Sequence, residues 1–238
     1  MNFTFNEYKK LIDNLRNQGY EFTNYHDYRN IKNPCILRHD VDYCLEKSNI
    51  FAEFEKSIGV KSTYFVLLSS DFYNLFSKNN IEILNHIKEL GHEIGLHFDE
   101  VKYGSLDSEE MVTKIKEECE VLSQITGYNI KTVSMHRPSK WVLDADLKIP
   151  GIVNSYGTEF FHDFKYVSDS RMRWREDVMN YVKEKAFPKF HILTHAFWYS
   201  DEDKSMYEVL SSFLESSRKD RYKILNENFS DLQSIIKE

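Results

Sequence analysis

Five short segments of this chain hold residues of the types and spacings that could do hydrolytic chemistry. The first is RHDVD, Arg38 to Asp42. Asp40 and Asp42 stand two apart, so on an extended segment both carboxylates project to one side. Two like charges held that close repel unless a cation lies between them. A divalent metal bound by one, with the other free as a base, resolves the conflict; an Asx-type turn at a strand end is the simpler alternative.

The second segment is GHEIGLHFDE, residues 91–100. His92 and His97 are five apart and face opposite sides of a strand, so they do not make a joint ligand pair. His97 closes the apolar run and is the better ligand, whereas His92 suits a structural bond. Asp99 and Glu100 follow as further oxygen ligands or orienting groups. In the third segment, TVSMHRPSKW, His136 ends another apolar run and suits zinc as well as His97 does. Arg137 could hold a carboxylate in its bidentate fork. The fourth, HILTHAFWY, closes on Thr194–His195, where a histidine could protonate a leaving group. An aromatic wall of Phe197, Trp198 and Tyr199 follows it. In the fifth, VSDSRMRWRED, Asp169 could orient a histidine, while Arg171 and Trp174 could line a substrate cleft. Packing between helix and sheet explains Trp174 equally well.

Positioning these residues requires a scaffold, and the hydrophobic periodicity supplies one. Apolar runs at 35–41, 62–67, 93–98, 132–137, 151–156, 165–169 and 190–197 read as seven strands. Helical patterns fall at 4–18, 45–57, 72–89, 107–126, 140–147, 174–186, 203–217 and 226–237. The 107–126 stretch has an acidic start and a Gly after its end, as a capped helix should. Strands alternating with helices predict a parallel sheet with crossover helices. In such folds the carboxyl edge of the sheet is the functional face. Asp40, Asp42, His97, His136, Arg137, Asp169 and His195 all fall at strand ends.

Composition narrows the partners. With 31 basic and 38 acidic residues the formal charge is -7, which argues against a nucleic-acid surface. The densest basic run, Arg171, Arg173 and Arg175, is too small for that role, though it leaves room for an anionic substrate in a local pocket. No apolar stretch approaches a membrane span or a signal core, so a cytoplasmic location is expected. Cys35, Cys44 and Cys119 form no paired framework and are expected to be reduced.

Taken in order, the segments resemble the polysaccharide deacetylase family, the NodB-like carbohydrate esterases, over residues 35 to 200. The resemblance implies a distorted (β/α)7 barrel, with residues 1–238 as one catalytic domain. It also implies a metal-dependent hydrolase that removes acetyl groups from N- or O-acetylated sugars, with one divalent metal, zinc first. RHDVD resembles the family's first motif, which implies Asp40 as the base and Asp42 as a metal ligand. GHEIGLH is similar to the segment leading into its His-x-x-x-His motif, which implies His97 as the first histidine ligand. HRPS resembles the Arg-Pro motif and places Arg137 beside the base. The Asp169–Trp174 segment is similar to the Asp/Trp motif, and LTH implies His195 as the general acid. One departure stands out: Val101 occupies the place of the family's second histidine. Catalytic zinc usually has three protein ligands, so His136 is expected to supply the third, with Asp99 or Glu100 as alternatives. A location inside the cell points to an acetylated nucleotide-linked sugar or lipid-linked glycan precursor as the partner. Two other readings fit the pattern: an amidohydrolase acting on a small non-sugar C–N bond, and a carbohydrate-binding relative without turnover.

Overall fold

A computed structural model describes residues 1–238. The helices form where the apolar spacing and the caps agree. Helix α1 (Phe5–Asn17) starts at Thr4, whose hydroxyl accepts from the Glu7 amide, and buries Tyr8, Leu11, Ile12 and Leu15. Helix α2 spans Leu45–Ser57 and α3 spans Lys78–Glu89. Helix α4 (Ser108–Thr126) opens on a reciprocal box between Asp107 and Glu110 and stops at Gly127, whose φ of 74° is open to glycine at little cost. The shorter α5 (Lys140–Asp144) and α6 (Val178–Lys183) follow, then α7 (Met206–Asn228) and α8 (Leu232–Ile235).

The strands are β1 (Glu21–Thr23), β2 (Pro34–Val41), β3 (Thr63–Leu67), β4 (Glu93–Phe98), β5 (Thr132–Met135), β6 (Val153–Asn154), β7 (Lys165–Ser168) and β8 (Phe190–Thr194). All pair in parallel in the order β6-β5-β4-β3-β2-β8-β7, with β1 added against the start of β2. The sheet is curled and flanked by helices, as the deacetylase-type barrel expectation requires. Its two end strands are short, and a stack of Tyr156, Phe161 and Tyr166 spans the gap between them, with centroids 5.1 and 4.4 Å apart.

Strand alternation divides the side chains into two layers. Cys35, Leu37, Val41, Tyr64, Val66, Ile94, Leu96, Phe98, Phe190 and Ile192 join the main core beneath the helices. Ile36 and Phe65 point to the other face and join Tyr25, Tyr28, Phe160 and Phe164 in an aromatic plug. Gly95 lies against this plug: a Cβ there would come within 2.5 Å of the Phe65 ring, so only glycine lets the ring lie flat on the sheet.

Several boundaries differ from the sequence expectation. The proposed strand 151–156 shrinks to two residues, because Gly151 sits in a turn and a π-helical turn begins at Glu159. The helix expected over 72–89 starts only at Lys78, since Ser77 caps it and Phe72 stays half exposed. The helices expected at 203–217 and 226–237 are one continuous α7 followed by a single turn. No Gly or Pro interrupts residues 206–228. Strand β1 is too short and polar to have announced itself. No helix is long and apolar enough to cross a membrane. All three cysteines are free, with Cys35 and Cys119 buried.

Candidate metal centre and active site

The parity of β2 builds the first half of the site. Arg38, Asp40 and Asp42 share the inner face with Ile36, so they rise in a column from the aromatic plug to the carboxyl edge of the sheet. At the lower end Arg38 is fully buried. Its guanidinium lies 4.9 Å from the Tyr156 ring centroid and 5.4 Å from that of Phe65. It donates to Asp40 Oδ2 and to Ser155 Oγ, each at 2.8 Å. Asp40 is buried, and its second oxygen accepts from Ser134 Oγ at 3.4 Å.

Asp42 is the next inner residue up. Its Oδ1 is buried and accepts no hydrogen bond, and it stands 3.3 Å from His97 Nε2 and 3.4 Å from His136 Nδ1. Those two nitrogens are 3.2 Å apart. Donors about 2.0–2.1 Å from a tetrahedral zinc lie roughly 3.3 Å from each other, so the three atoms have the spacing of one face of such a tetrahedron. His97 Nδ1 donates to the Ser134 carbonyl at 3.3 Å, which leaves Nε2 as a lone pair facing Asp42. Burial pushes the Asp42 carboxyl up, but His136 and His97 more than offset it and hold the group well below the ordinary range. A buried carboxylate with an orphaned oxygen, facing two imidazole nitrogens, is a donor set that fits one divalent metal.

The fourth wall comes from β7 and β8. His195 follows β8; its Nδ1 donates to Asp169 Oδ1 at 2.6 Å, and its backbone amide donates to Oδ2 at 3.1 Å. Its Nε2 is 3.8 Å from Asp42 Oδ2. Burial disfavours the imidazolium, but fully buried Asp169 outweighs this and raises the pKa to about 9. With Nδ1 committed to Asp169, His195 turns Nε2 toward Asp42. These residues floor a cleft of about 600 Å³ whose sides include Tyr43, Leu193, Trp198 and Arg171.

The structure thus brings Asp40, Asp42, His97, His136, Asp169 and His195 together. Three expectations fall elsewhere. Arg137 does not hold Asp40: its side chain is 74% exposed at the cleft rim, 3.8 Å from Asp99, because the chain turns at Arg137 with a φ of 48°. Arg38 occupies the place expected for it. Trp174 is half-buried against the main core and does not line the cleft. Asp99 and Glu100 are committed to other partners, the Val101 amide and Ser139 respectively. Val101, in the position of the absent histidine, lies in a 3-10 turn with 69% exposure. His92 has the structural role expected of it, accepting from the Ser62 amide and donating to the Ala52 carbonyl.

Arg38 was legible in principle, since the parity that pairs Asp40 with Asp42 also includes residue 38. A second network was not. On the outer face, Glu55 of α2 accepts from Tyr8, Ser62 and Tyr64 at 2.5–2.8 Å and from His39 Nε2 at 3.0 Å. His39 Nδ1 bonds Thr194 Oγ1 at 2.7 Å. This links the residue before Asp40 to the residue before His195.

No protein-family model matches the chain, and no curated protein matches it. Among solved structures it is similar to a deacetylase from Streptococcus pyogenes in complex with acetate, with 16% identity, a TM-score of 0.43 and coverage of 55% of this chain and 61% of that one. The chain thus spans less than two thirds of that relative. A family 4 carbohydrate esterase from Bacillus anthracis has 19% identity and a TM-score of 0.46, covering 88% of this chain and 85% of that one. A chitin deacetylase from Colletotrichum lindemuthianum has 13% identity and a TM-score of 0.49, covering 84% and 87% respectively. At these levels of likeness, the chemistry of the site rests on this chain's own residues.

Proposed function

We propose that residues 1–238 form one catalytic domain of the NodB-like deacetylase type, which hydrolyses an acetyl group from an N- or O-acetylated sugar. The observation that carries the reading is the triangle of Asp42 Oδ1, His97 Nε2 and His136 Nδ1, flanked by a carboxylate and a histidine. Two imidazoles and one carboxylate suit zinc. Bound there, the metal supplies Lewis-acid polarisation of the acyl carbonyl and a lowered pKa for water. Asp40, held by Arg38, takes the proton of the attacking water. His195, held by Asp169 through Nδ1, donates its Nε2 proton to the departing amine or alcohol. Trp198 and Tyr43 line the cleft where the sugar ring would sit.

The test is metal content by elemental analysis, with acetate release from acetylated sugars measured on the same samples. Wild type should hold near-stoichiometric metal. His136→Ala should lose it, and Asp40→Asn should keep it while nearly abolishing turnover. Metal retained in His136→Ala would refute the ligand set. Wild-type turnover in Asp40→Asn would refute the base. A metal-free wild type that binds sugar after reconstitution attempts would instead favour a binding protein.

A further inference from the structure

The cleft has a charge its proposed reaction does not use. Arg137, Arg171 and Arg175 all line it, on two loops more than thirty residues apart. Arg171 and Arg175 form no ion pair, and Arg137 has only its long contact with Asp99. The rim's carboxylates are Asp71 and Asp99, and Asp99 also accepts from the Val101 amide. The chain as a whole carries -7, so its long-range field repels anions. Three guanidinium groups gathered at the one metal-binding cleft run against that balance.

The backbone at two of these arginines is also costly. Arg137 has φ 48° and Arg171 has φ 59°, followed by Met172 at 53°. Left-handed conformations are unfavourable for residues with a Cβ, and they persist where surrounding structure enforces them. Arg137 directly follows the metal ligand His136, and Arg171 is two residues beyond Asp169. Each strained turn therefore joins a catalytic strand end to a rim arginine.

We propose that the cleft takes an acylated sugar bearing a phosphate group, with its lining arginines Arg137, Arg171 and Arg175 receiving the phosphate oxygens. This rests on the deacetylase reading for the position of the acyl group. A carboxylate is satisfied by a single bidentate guanidinium, whereas a phosphate or diphosphate offers enough oxygens for several. The phosphate could belong to a sugar monophosphate or to a nucleotide-linked sugar, and the two are separable by experiment.

Calorimetric titration of the metal-loaded protein tests this with N-acetylglucosamine 1-phosphate, its uridine-diphosphate-linked form and the neutral methyl glycoside. The same titrations are run on Arg171→Gln/Arg175→Gln, with metal content and melting temperature confirming its integrity. One phosphorylated ligand should bind at least about tenfold more tightly than the glycoside, a difference the double variant erases. Whether the mono- or diphosphate gains more identifies the source of the phosphate. No preference for either phosphorylated ligand, including no binding of any, overturns the proposal. So does a preference that survives undiminished in the double variant. Acetate release, followed separately, keeps the two readings apart: deacetylation without phosphate preference sinks only this proposal, and preference without acetate release sinks only the reaction.

Discussion

Removing the carboxylate of Glu55 should change the acid stability of the protein by an amount the structure allows one to work out. Glu55 is wholly buried among Tyr8, Ser62, Tyr64 and His39, with His92 Nδ1 at 3.6 Å. Burial alone would push its pKa up, but His39, His92 and Ser62 more than offset this and hold it at about 2, against an ordinary 4.5. A carboxyl whose folded pKa is depressed stabilises the fold above its unfolded pKa, and loses that contribution as pH falls toward the folded value. That depression corresponds to about 3 kcal/mol at neutral pH, of which about 2 kcal/mol is lost by pH 3. Urea unfolding of wild type and Glu55→Gln at pH 7, 5, 4 and 3 measures this. The gap between the two proteins should be widest at pH 7 and 5, then narrow by about 2 kcal/mol at pH 3. A gap that is flat across the series would refute the ionised, multiply bonded Glu55. Because His39 bridges Glu55 and Thr194, the variant should also loosen the spacing of Asp40 and His195.

Two further outcomes follow from the inner column and the histidine pair. Arg38→Met should destabilise the fold by about 3–5 kcal/mol in denaturant unfolding, because Asp40 is left as an unpaired buried anion; Arg38→Met/Asp40→Asn should recover much of that loss, and failure to recover would show that the pair is not coupled. Asp169 raises His195 to about 9 against the effect of burial, so with His195 in its proposed role as general acid, wild-type turnover should fall on the alkaline side near that pH. In Asp169→Asn the alkaline limb should move toward the ordinary histidine value of about 6.5. An unmoved limb would remove Asp169 from that role.

Local pattern alone determined much of this protein. The alternation of apolar runs and amphipathic stretches specifies a parallel sheet with helical crossovers, because strand and helix periods differ and a buried parallel strand must be apolar on both faces. The capped ends of α4 lie where its acidic start and closing glycine place them, since capping is chemistry within a few residues. The same locality placed Asp40, Asp42, His97, His136 and His195 at strand ends and so at one edge of the sheet.

What needed the tertiary structure was every statement about which atoms meet. Strand parity puts Arg38 on the face of Asp40, but only the structure shows the two in contact, and only the left-handed turn at Arg137 shows that residue 137 goes to the rim instead. His136 joins Asp42 and His97 because β5 lies beside β4 in register, a pairing between segments some forty residues apart. The Glu55 network depends on α1 and α2 packing over the outer face of β2, and no spacing within the chain encodes that contact. Periodicity is a property of neighbours in sequence, whereas a metal triangle and a buried carboxylate are properties of neighbours in space.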